Sequence, residues 1–203
     1  MEKTPPGQVW ARSWVIYSAL GTPEIDVEKW RLRITGMVER QKEYTYEQLL
    51  EMADKKYVKP FHCVTKWSIR DVEWTGVGLR KLLEISGVKK EAKWVLFVCG
   101  DGYSAPVPLE DAMSEDAIVA LKMNGKPLSI DQGFPARPFI PHLYGWKSAK
   151  WLTEVELIPV YVDGYWELYG YHERGNVWSE ERFKTMGSKH SVRIGARVIQ
   201  GGT

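Results

Sequence analysis

The sequence predicts a single α+β domain over residues 1–203, built from mixed sheets and a few short helices. Short apolar or alternating runs recur along the chain, and each has the length of a strand rather than of a helix. Only three stretches carry helical spacing or a helix-start signal, and all three are short. No repeat, low-complexity tract or clear linker divides the 203 residues, a length that one domain can hold. We expect residues 1–10 and 190–203 to be peripheral.

The first part of the chain predicts strands followed by one helix. Residues 14–17 form an apolar run that suits either a strand or a loop packed into a pocket. Residues 30–35 alternate strictly between apolar and polar side chains, which predicts a strand with one wet face. Thr45 and Gln48 resemble a capping box and predict a short helix over residues 46–53.

The middle of the chain predicts two further helices around a buried strand. Residues 79–85 have helical spacing and stop near Gly87. Residues 94–99 are continuously apolar, which predicts a strand covered on both faces. Residues 108–113 begin with a proline in the first turn of a short helix. Further strands are predicted at residues 118–123, 152–162 and 192–199, with a hairpin-type turn at Asn124-Gly125.

Composition and charge argue against several classes of protein. The net charge of +2 is too small and too evenly spread to indicate a nucleic-acid partner. Two widely separated cysteines form no disulfide framework and indicate reduced thiols. The N-terminus has no apolar signal region, and no run approaches the roughly 18 apolar residues of a membrane span. We therefore expect a soluble, cytoplasmic protein without a membrane span.

The stretch Phe61-His62-Cys63-Val64-Thr65-Lys66-Trp67-Ser68 is the most informative in the chain. Residues 57 and 58 before it favour a strand, and Gly76 and Gly78 break the apolar pattern after it. Cys63 is thus expected at the end of a strand, where the chain turns. A thiolate displayed there would serve as a nucleophile or a metal ligand. The alternative is a free cysteine that acts as a small buried apolar residue.

Histidines and glycines give weaker signals. The four histidines lie far apart, so a four-ligand zinc site has little support. His62 precedes Cys63 directly and would face the opposite side of a strand, which makes it a poor base for a thiol. A distant histidine such as His142 could still reach Cys63 in space. Gly76-Val77-Gly78 begins like a dinucleotide fingerprint, but it lacks the third glycine and follows no clear buried strand.

Residues 133–151 combine three prolines with basic and aromatic side chains. The prolines predict an extended segment outside any central strand. Arg137, Lys147 and Lys150, together with Ser148, form the clearest candidate for an anion site. A guanidinium offers a planar fork to a phosphate, an ammonium a mobile charge and a hydroxyl a further donor. A solvated basic loop is the alternative, and the residues alone leave the two interpretations about even.

Taken together, several stretches resemble the molybdopterin-binding domain of the sulfite oxidase family. The resemblance is strongest to the small single-domain members related to the catalytic subunit of the periplasmic methionine-sulfoxide reductase. It runs from about Trp14 to Phe183, and the order and spacing of its pieces make it specific. The matching pieces are Cys63-Val64-Thr65-Lys66-Trp67-Ser68, Trp74-Thr75-Gly76-Val77, Asp101-Gly102-Tyr103, Met123-Asn124-Gly125-Lys126-Pro127-Leu128, Pro135-Ala136-Arg137, the run from Pro141 to Trp151, and Gly164-Tyr165-Trp166-Glu167 to Tyr171-His172.

The resemblance implies a molybdenum-molybdopterin cofactor with Cys63 as the protein thiolate on the metal and as the catalytic residue. It implies two-electron oxygen-atom transfer, between Mo(VI) and Mo(IV), on a small substrate such as sulfite or a sulfoxide. An electron-transfer partner would complete the cycle, and a soft thiolate suits such a metal–sulfur centre. Ten positions are implied to bind the cofactor, with the phosphate against Arg137 and the turn after it: Trp14, Tyr17, Ser18, Cys99, Gln132, Arg137, Lys147, Ser148, Ala149 and Lys150.

The chain also departs from the family pattern. Lys66 stands at a position that is commonly glycine, and the substrate-binding arginines of true sulfite oxidases have no counterpart that we can assign. Sulfite is therefore only one candidate substrate. Two alternatives to the enzyme remain at this point. One is a carrier or electron-transfer module that holds the cofactor without turnover, and the other is a metal-free thiol enzyme that uses Cys63 with a distant histidine.

Overall fold

The computed structural model describes residues 3–184, 191–194 and 197–200. Its helices, α1 to α4 in chain order, span Tyr46–Met52, Leu79–Ser86, Leu109–Ala112 and Tyr165–Leu168. In these described segments no helix is long and apolar enough to cross a membrane. The strands, β1 to β16 in chain order, span Val9–Trp10, Leu32–Gly36, Lys42–Tyr44, Lys55–Val58, Phe61–His62, Trp67–Ile69, Glu73–Gly78, Trp94–Cys99, Ser104–Pro108, Ile118–Met123, Lys126–Pro127, Arg137–Phe139, Leu152–Ile158, Val162–Asp163, Ser191–Ile194 and Arg197–Gln200.

One of two five-stranded sheets in the described part of the chain is mixed and has the strand order β3–β2–β13–β8–β9. β2 and β13 run parallel, whereas the other neighbours are antiparallel. The helices α1 and α2 bury Leu49 and Leu83 in the same apolar cluster as Phe97 of β8. Each such burial contributes about 1.5–3 kcal/mol. The predicted capping box starts α1, where the Thr45 hydroxyl accepts from the Gln48 amide at 3.2 Å.

A second sheet is built around β10, which pairs with β7 on one side and with β11 and β12 on the other. Trp74 of β7 stacks on Phe139 of β12, with ring centroids 3.9 Å apart. The Trp74 indole N–H donates to the Lys59 carbonyl, so this buried ring leaves no polar atom unsatisfied. Pro138 lies on β12, which pairs with β10 alone among the described strands. The proline-rich segment thus stays out of central strands, as predicted.

The N-terminal arm differs from the prediction of a loose, peripheral segment. β1 pairs in parallel with β6, and the Val9 amide donates to the Lys66 carbonyl at 2.8 Å. β6 in turn pairs with β5, so this small sheet fixes the segment that carries Cys63. Only two residues of the arm form a strand. A pairing this short leaves no periodicity in the sequence from which it could be predicted.

Other elements differ in extent from the predicted ones. Residues 14–17 have no regular secondary structure, so the loop alternative applies. The strand predicted over residues 152–162 is divided into β13 and β14, with a bend between them. The single strand predicted over residues 192–199 is instead an antiparallel pair, β15 and β16. Of the predicted peripheral segment 190–203, the remaining residues lie outside the described part of the chain.

The glycines at positions 76 and 78 lie inside a largely buried strand, β7, rather than in a nucleotide-binding loop. This corrects the expectation that no buried strand accompanies them. An ideal Cβ at Gly76 would lie 2.0 Å from the Val119 carbonyl oxygen on β10. A real Cβ cannot approach that closely, so β7 and β10 meet here because Gly76 has no side chain.

We expect Gly76→Ala to lower the free energy of unfolding by about 2–3 kcal/mol, because the new methyl group forces β7 and β10 apart. Gly78→Ala is the matched control, since its Cβ would meet no atom nearer than 3.5 Å. Its effect should stay within about 0.5 kcal/mol. Chemical denaturation measures both values, and equal stabilities of the two variants would contradict the packing described.

Candidate active site

Cys63 lies on a tight turn between β5 and β6, as the sequence predicts. β5 ends at His62, after which the Lys66 amide donates to the Cys63 carbonyl at 3.1 Å. The Cys63 amide donates to the Trp67 carbonyl at 2.9 Å and closes the turn. The Cys63 thiol is half-buried, with its Sγ 3.1 Å from the Thr65 hydroxyl oxygen. The thiol is thus displayed at a strand end rather than packed into the core.

A cavity of about 560 Å³ opens beside Cys63. This volume is typical of small-molecule and cofactor sites. Cys63 packs against two apolar clusters, one that contains Phe61 and one that contains Tyr144. Much of the cavity wall is aromatic, with contributions from Trp14, Tyr17, Trp67, Trp146, Trp166 and Tyr171.

Arg137 brings a buried positive charge to the cavity wall. Its Nε donates to the Ser148 hydroxyl at 2.9 Å, and its Nη2 donates to the Ser148 carbonyl at 2.7 Å. Its Nη1 donates to the Gln132 carbonyl at 2.9 Å. A guanidinium has five N–H donors, so two remain. No carboxylate among the described residues forms an ion pair with Arg137, and burial lowers its pKa to about 10.

Lys150 supplies a second cation to the same wall. Its Nζ donates to the Ser18 hydroxyl at 2.9 Å and to the Asp131 carbonyl at 3.1 Å, which leaves one of three N–H donors. Burial, and then the neighbouring Arg137 cation, lower the pKa of the Lys150 ammonium to about 8. An anion beside the two cations would relieve both effects. The predicted anion site therefore has the charge and the open donors that it needs.

The backbone after Ser148 adds two more donors. Ala149 is buried and lines the cavity together with Lys150. The amides of both residues have no acceptor within the described part of the chain. Successive free amides of this kind form anion-binding concavities. The Ser148 hydroxyl has a different role from the predicted one, because it already accepts from Arg137 and donates to the Pro138 carbonyl.

The predicted N-terminal and amide contacts also reach the cavity. Trp14 lines it and packs on Phe61 with ring centroids 4.8 Å apart. Tyr17 and Ser18 line the cavity from the same loop, and Gln132 also lines it. The Gln132 side-chain oxygen accepts from the Ser129 amide, so the open group of this residue is its amide nitrogen.

Two predicted cofactor residues are placed elsewhere. The Lys147 ammonium is buried in an ion pair with Glu167 at 2.7 Å and donates to the carbonyls of Pro106 and Glu173. All three of its N–H donors are thereby used, so Lys147 has none left for a phosphate, contrary to the prediction. Cys99 is also absent from the cavity wall, and burial raises the pKa of its thiol well above the usual range. Cys99 belongs to the main apolar cluster, so its role is packing.

The three described histidines do not pair with the Cys63 thiol. His62 is buried against the Ser68 hydroxyl at 2.7 Å, and burial lowers its pKa to about 4. His142 lies 2.7 Å from an Asp111 carboxylate oxygen, and His172 accepts backbone amides. None of the three lines the cavity, and His190 lies outside the described residues. The thiol-enzyme alternative therefore has no histidine base in the described part of the chain.

Residues 19–166 match the family of oxidoreductase molybdopterin binding domains. The chain belongs to this family. It is 36% identical over 182 residues to the uncharacterized oxidoreductase YuiH of Bacillus subtilis. That alignment covers 89% of this chain and 92% of YuiH. It is 27% identical over 167 residues to the protein-methionine-sulfoxide reductase catalytic subunit MsrP of Campylobacter jejuni. That alignment covers 74% of this chain and 56% of MsrP. The structure of the sulfane dehydrogenase SoxCD of Paracoccus pantotrophus matches with a TM-score of 0.63 and 26% identity, over 69% of this chain and 41% of that chain.

Membership confirms the resemblance stated from the sequence and identifies the chain as a molybdopterin oxidoreductase. The side chains of the cavity fit that cofactor. Arg137 and Lys150 are cations with open donors for a phosphate, and Cys63 offers a soft sulfur ligand to the metal. No three His, Cys, Asp or Glu side chains of residues 3–184 and the two short segments gather into a metal site. A metal at Cys63 would therefore depend on sulfur from the pterin.

Lys66, which departs from the family pattern, has a backbone conformation that favours glycine. Its φ is +76°, which is the left-handed region that glycine adopts without cost. The sequence signal, a lysine where glycine is common, thus coincides with backbone strain on the Cys63 turn. Lys66 is exposed and is not part of the cavity wall.

We expect Lys66→Gly to raise the free energy of unfolding by about 0.5–1 kcal/mol, since it removes a left-handed Cβ but adds freedom to the unfolded chain. Lys66→Ala keeps the Cβ and should change stability by less than about 0.5 kcal/mol. Thermal or chemical denaturation compares the two. An alanine variant as stable as the glycine variant would show that charge, not strain, is what matters at this position.

The anion site predicts a pH-dependent affinity for sulfate in the cofactor-free protein. Lys150 binds an anion well only when it is protonated, so affinity should fall as the pH rises through about 8. A group with that pKa weakens binding by up to roughly 30-fold between pH 6.5 and 9.5. Calorimetric titration of the wild type and Lys150→Gln measures this. A variant with the same pH slope as the wild type would exclude Lys150 as the titrating group.

Proposed function

We propose that Cys63 is the protein ligand of the molybdenum and that the chain catalyses oxygen-atom transfer on a small, uncharged substrate. When bound, molybdenum-molybdopterin supplies the two-electron redox change and the site of oxygen transfer. The observation that carries the proposal is the pairing of one displayed thiol with an anion site in a single cavity. A metal-binding thiol and a phosphate-binding cluster are what this cofactor requires of a protein.

Each group of residues has a distinct task in this proposal. Arg137 and Lys150 hold the phosphate with fixed donors, and Ser148 holds Arg137 in turn. Fixed donors need no reorganisation when the anion arrives, so they give both affinity and orientation. Trp14 and Tyr17 contact the cofactor from the N-terminal loop. The aromatic wall excludes water around Cys63, which strengthens the electrostatic interactions within the cavity.

The charges of the cavity wall favour an uncharged substrate over sulfite. Among the residues that the structure describes, the charged side chains lining the cavity are two cations, Arg137 and Lys150, and two carboxylates, Asp101 and Asp131. Both cations belong to the proposed phosphate site, so none is left for a substrate anion. Cys63 itself packs among apolar and aromatic groups. The relative MsrP is named for a sulfoxide substrate, which is an uncharged group of this kind.

Loading with molybdenum tests the role of Cys63. We expect wild-type protein expressed with molybdate to contain about one molybdenum and one pterin per chain. Cys63→Ala should lose most of its molybdenum. Even substitutions of residues that only hydrogen-bond to a metal ligand lower the metal affinity about 10–100-fold. Cys99→Ala is the matched control and should retain the metal, since Cys99 lies outside the cavity wall. Elemental analysis that finds equal metal in the two cysteine variants would refute the assignment.

Turnover distinguishes the enzyme from a cofactor carrier. Dye-coupled assays of the loaded protein should give a kcat/KM for an aryl or alkyl sulfoxide at least about tenfold above that for sulfite. Sulfite as the better substrate would contradict the charge argument. A fully loaded protein without activity on sulfoxides, N-oxides or sulfite would favour the carrier.

A further inference from the structure

Gln8 is a buried polar residue of the N-terminal arm that contacts the Cys63 turn. Its Nε2 lies 3.0 Å from the Cys63 carbonyl oxygen and 3.1 Å from the Trp67 carbonyl oxygen. The Ser68 hydroxyl oxygen lies 2.9 Å from the same nitrogen. A side chain amide has two N–H donors, which these three oxygens share. Only 8% of Gln8 is exposed, so water does not replace these contacts.

Arg182 fixes the orientation of the Gln8 amide from the other end of the chain. Its Nη2 donates to the Gln8 side-chain oxygen at 2.9 Å, which turns Nε2 toward the Cys63 turn. The same Nη2 donates to the Pro6 carbonyl at 3.1 Å, and Nη1 donates to the Val64 carbonyl. Arg182 is 7% exposed. One guanidinium therefore binds both the arm and the residue that follows Cys63.

The backbone of the arm adds two further bonds. The Val9 amide donates to the Lys66 carbonyl, and the Ala11 amide donates to the Ser68 carbonyl, both at 2.8 Å. Gly7 allows the arm to pass this close, because a Cβ there would lie 2.7 Å from Arg182 Nη2. We call Gln8 and Arg182 the clamp.

The turn has few bonds of its own to hold Cys63 in place. Between residues 63 and 67 it closes with two backbone hydrogen bonds, and it includes the strained Lys66. Every residue of the clamp lies outside residues 19–166, which match the family. The clamp thus acts from outside the segment matched by the family model and is directed at the backbone of one turn.

We infer that Gln8 and Arg182 are positioning residues that hold the Cys63 thiolate in the orientation needed for the metal. The inference rests on the proposed function of Cys63. Metal and catalytic constellations tolerate displacements of only about 0.5 Å, and a 1 Å misplacement costs about a hundredfold in rate. The Gln8 side-chain amide, the Val9 backbone amide and the Arg182 guanidinium all bind this turn, which meets that requirement.

Two near-isosteric substitutions test the clamp. Gln8→Glu keeps an acceptor for Arg182 but removes the donors to the Cys63 turn. Arg182→Lys keeps the positive charge but cannot reach Gln8, Pro6 and Val64 together. Arg174→Lys is the matched control, because Arg174 contacts Asp111 in another part of the fold.

The first readout is amide hydrogen exchange in the cofactor-free proteins. We expect the amides of Cys63 and Lys66 to exchange at least about tenfold faster in Gln8→Glu and Arg182→Lys, with β8 unchanged. The control should exchange as the wild type does in the turn. Wild-type exchange in both variants, or acceleration spread equally through β8, would overturn the inference.

The second readout is steady-state kinetics of the loaded proteins. A misplaced thiolate should lower kcat about 10–100-fold and leave KM within about twofold. A change confined to KM would overturn the inference, because it would place the clamp in substrate binding. The exchange result is independent of loading. Faster exchange in the turn of a protein that binds no molybdenum upholds the clamp and removes the proposed function.

Discussion

The site depends on the burial of the Arg137 guanidinium without a carboxylate partner in the described part of the chain. Removing such a charge from water costs several kcal/mol, which its three protein hydrogen bonds offset only in part. The Lys150 ammonium, with its pKa lowered to about 8, adds to this positive potential. Asp101 and Asp131 line the same cavity and interact with Lys150, but neither forms an ion pair with Arg137, so the buried guanidinium still favours a bound anion. We propose that the phosphate of molybdopterin is that anion.

Phe61 connects this anion site to the thiol. The Arg137 guanidinium lies over the Phe61 ring, 5.6 Å from its centroid. Phe61 begins β5, two positions before Cys63 on the turn. A Cβ at Gly145 would lie 2.2 Å from the Phe61 ring, so the segment that leads to Ser148 packs directly on it. The proposed phosphate site and the thiol therefore both pack against the Phe61 ring, which helps to fix one relative to the other.

Local signals explain what could be predicted from the sequence. The capping box at Thr45, the helix that stops at Gly87 and the strand end at Cys63 all depend on near neighbours, and all are present. The cavity residues Arg137 and Lys150 could be predicted because prolines and basic groups concentrate in one segment. Lys147 has the same composition signal, but its partner Glu167 is distant in sequence. The residues around Lys147 therefore do not indicate that its charge is buried. Gln8 and Arg182 lie at opposite ends of the chain, and neither belongs to any motif.

The central claim is that the Cys63 sulfur binds the metal, and counting sulfur atoms at molybdenum tests it most directly. X-ray absorption at the molybdenum edge should find one sulfur fewer in Cys63→Ser than in the wild type, in samples matched for pterin content. Cys99→Ser should give the wild-type count. An unchanged sulfur count in Cys63→Ser would contradict the account, because the cofactor would then hold the metal without the thiol on which the site is built.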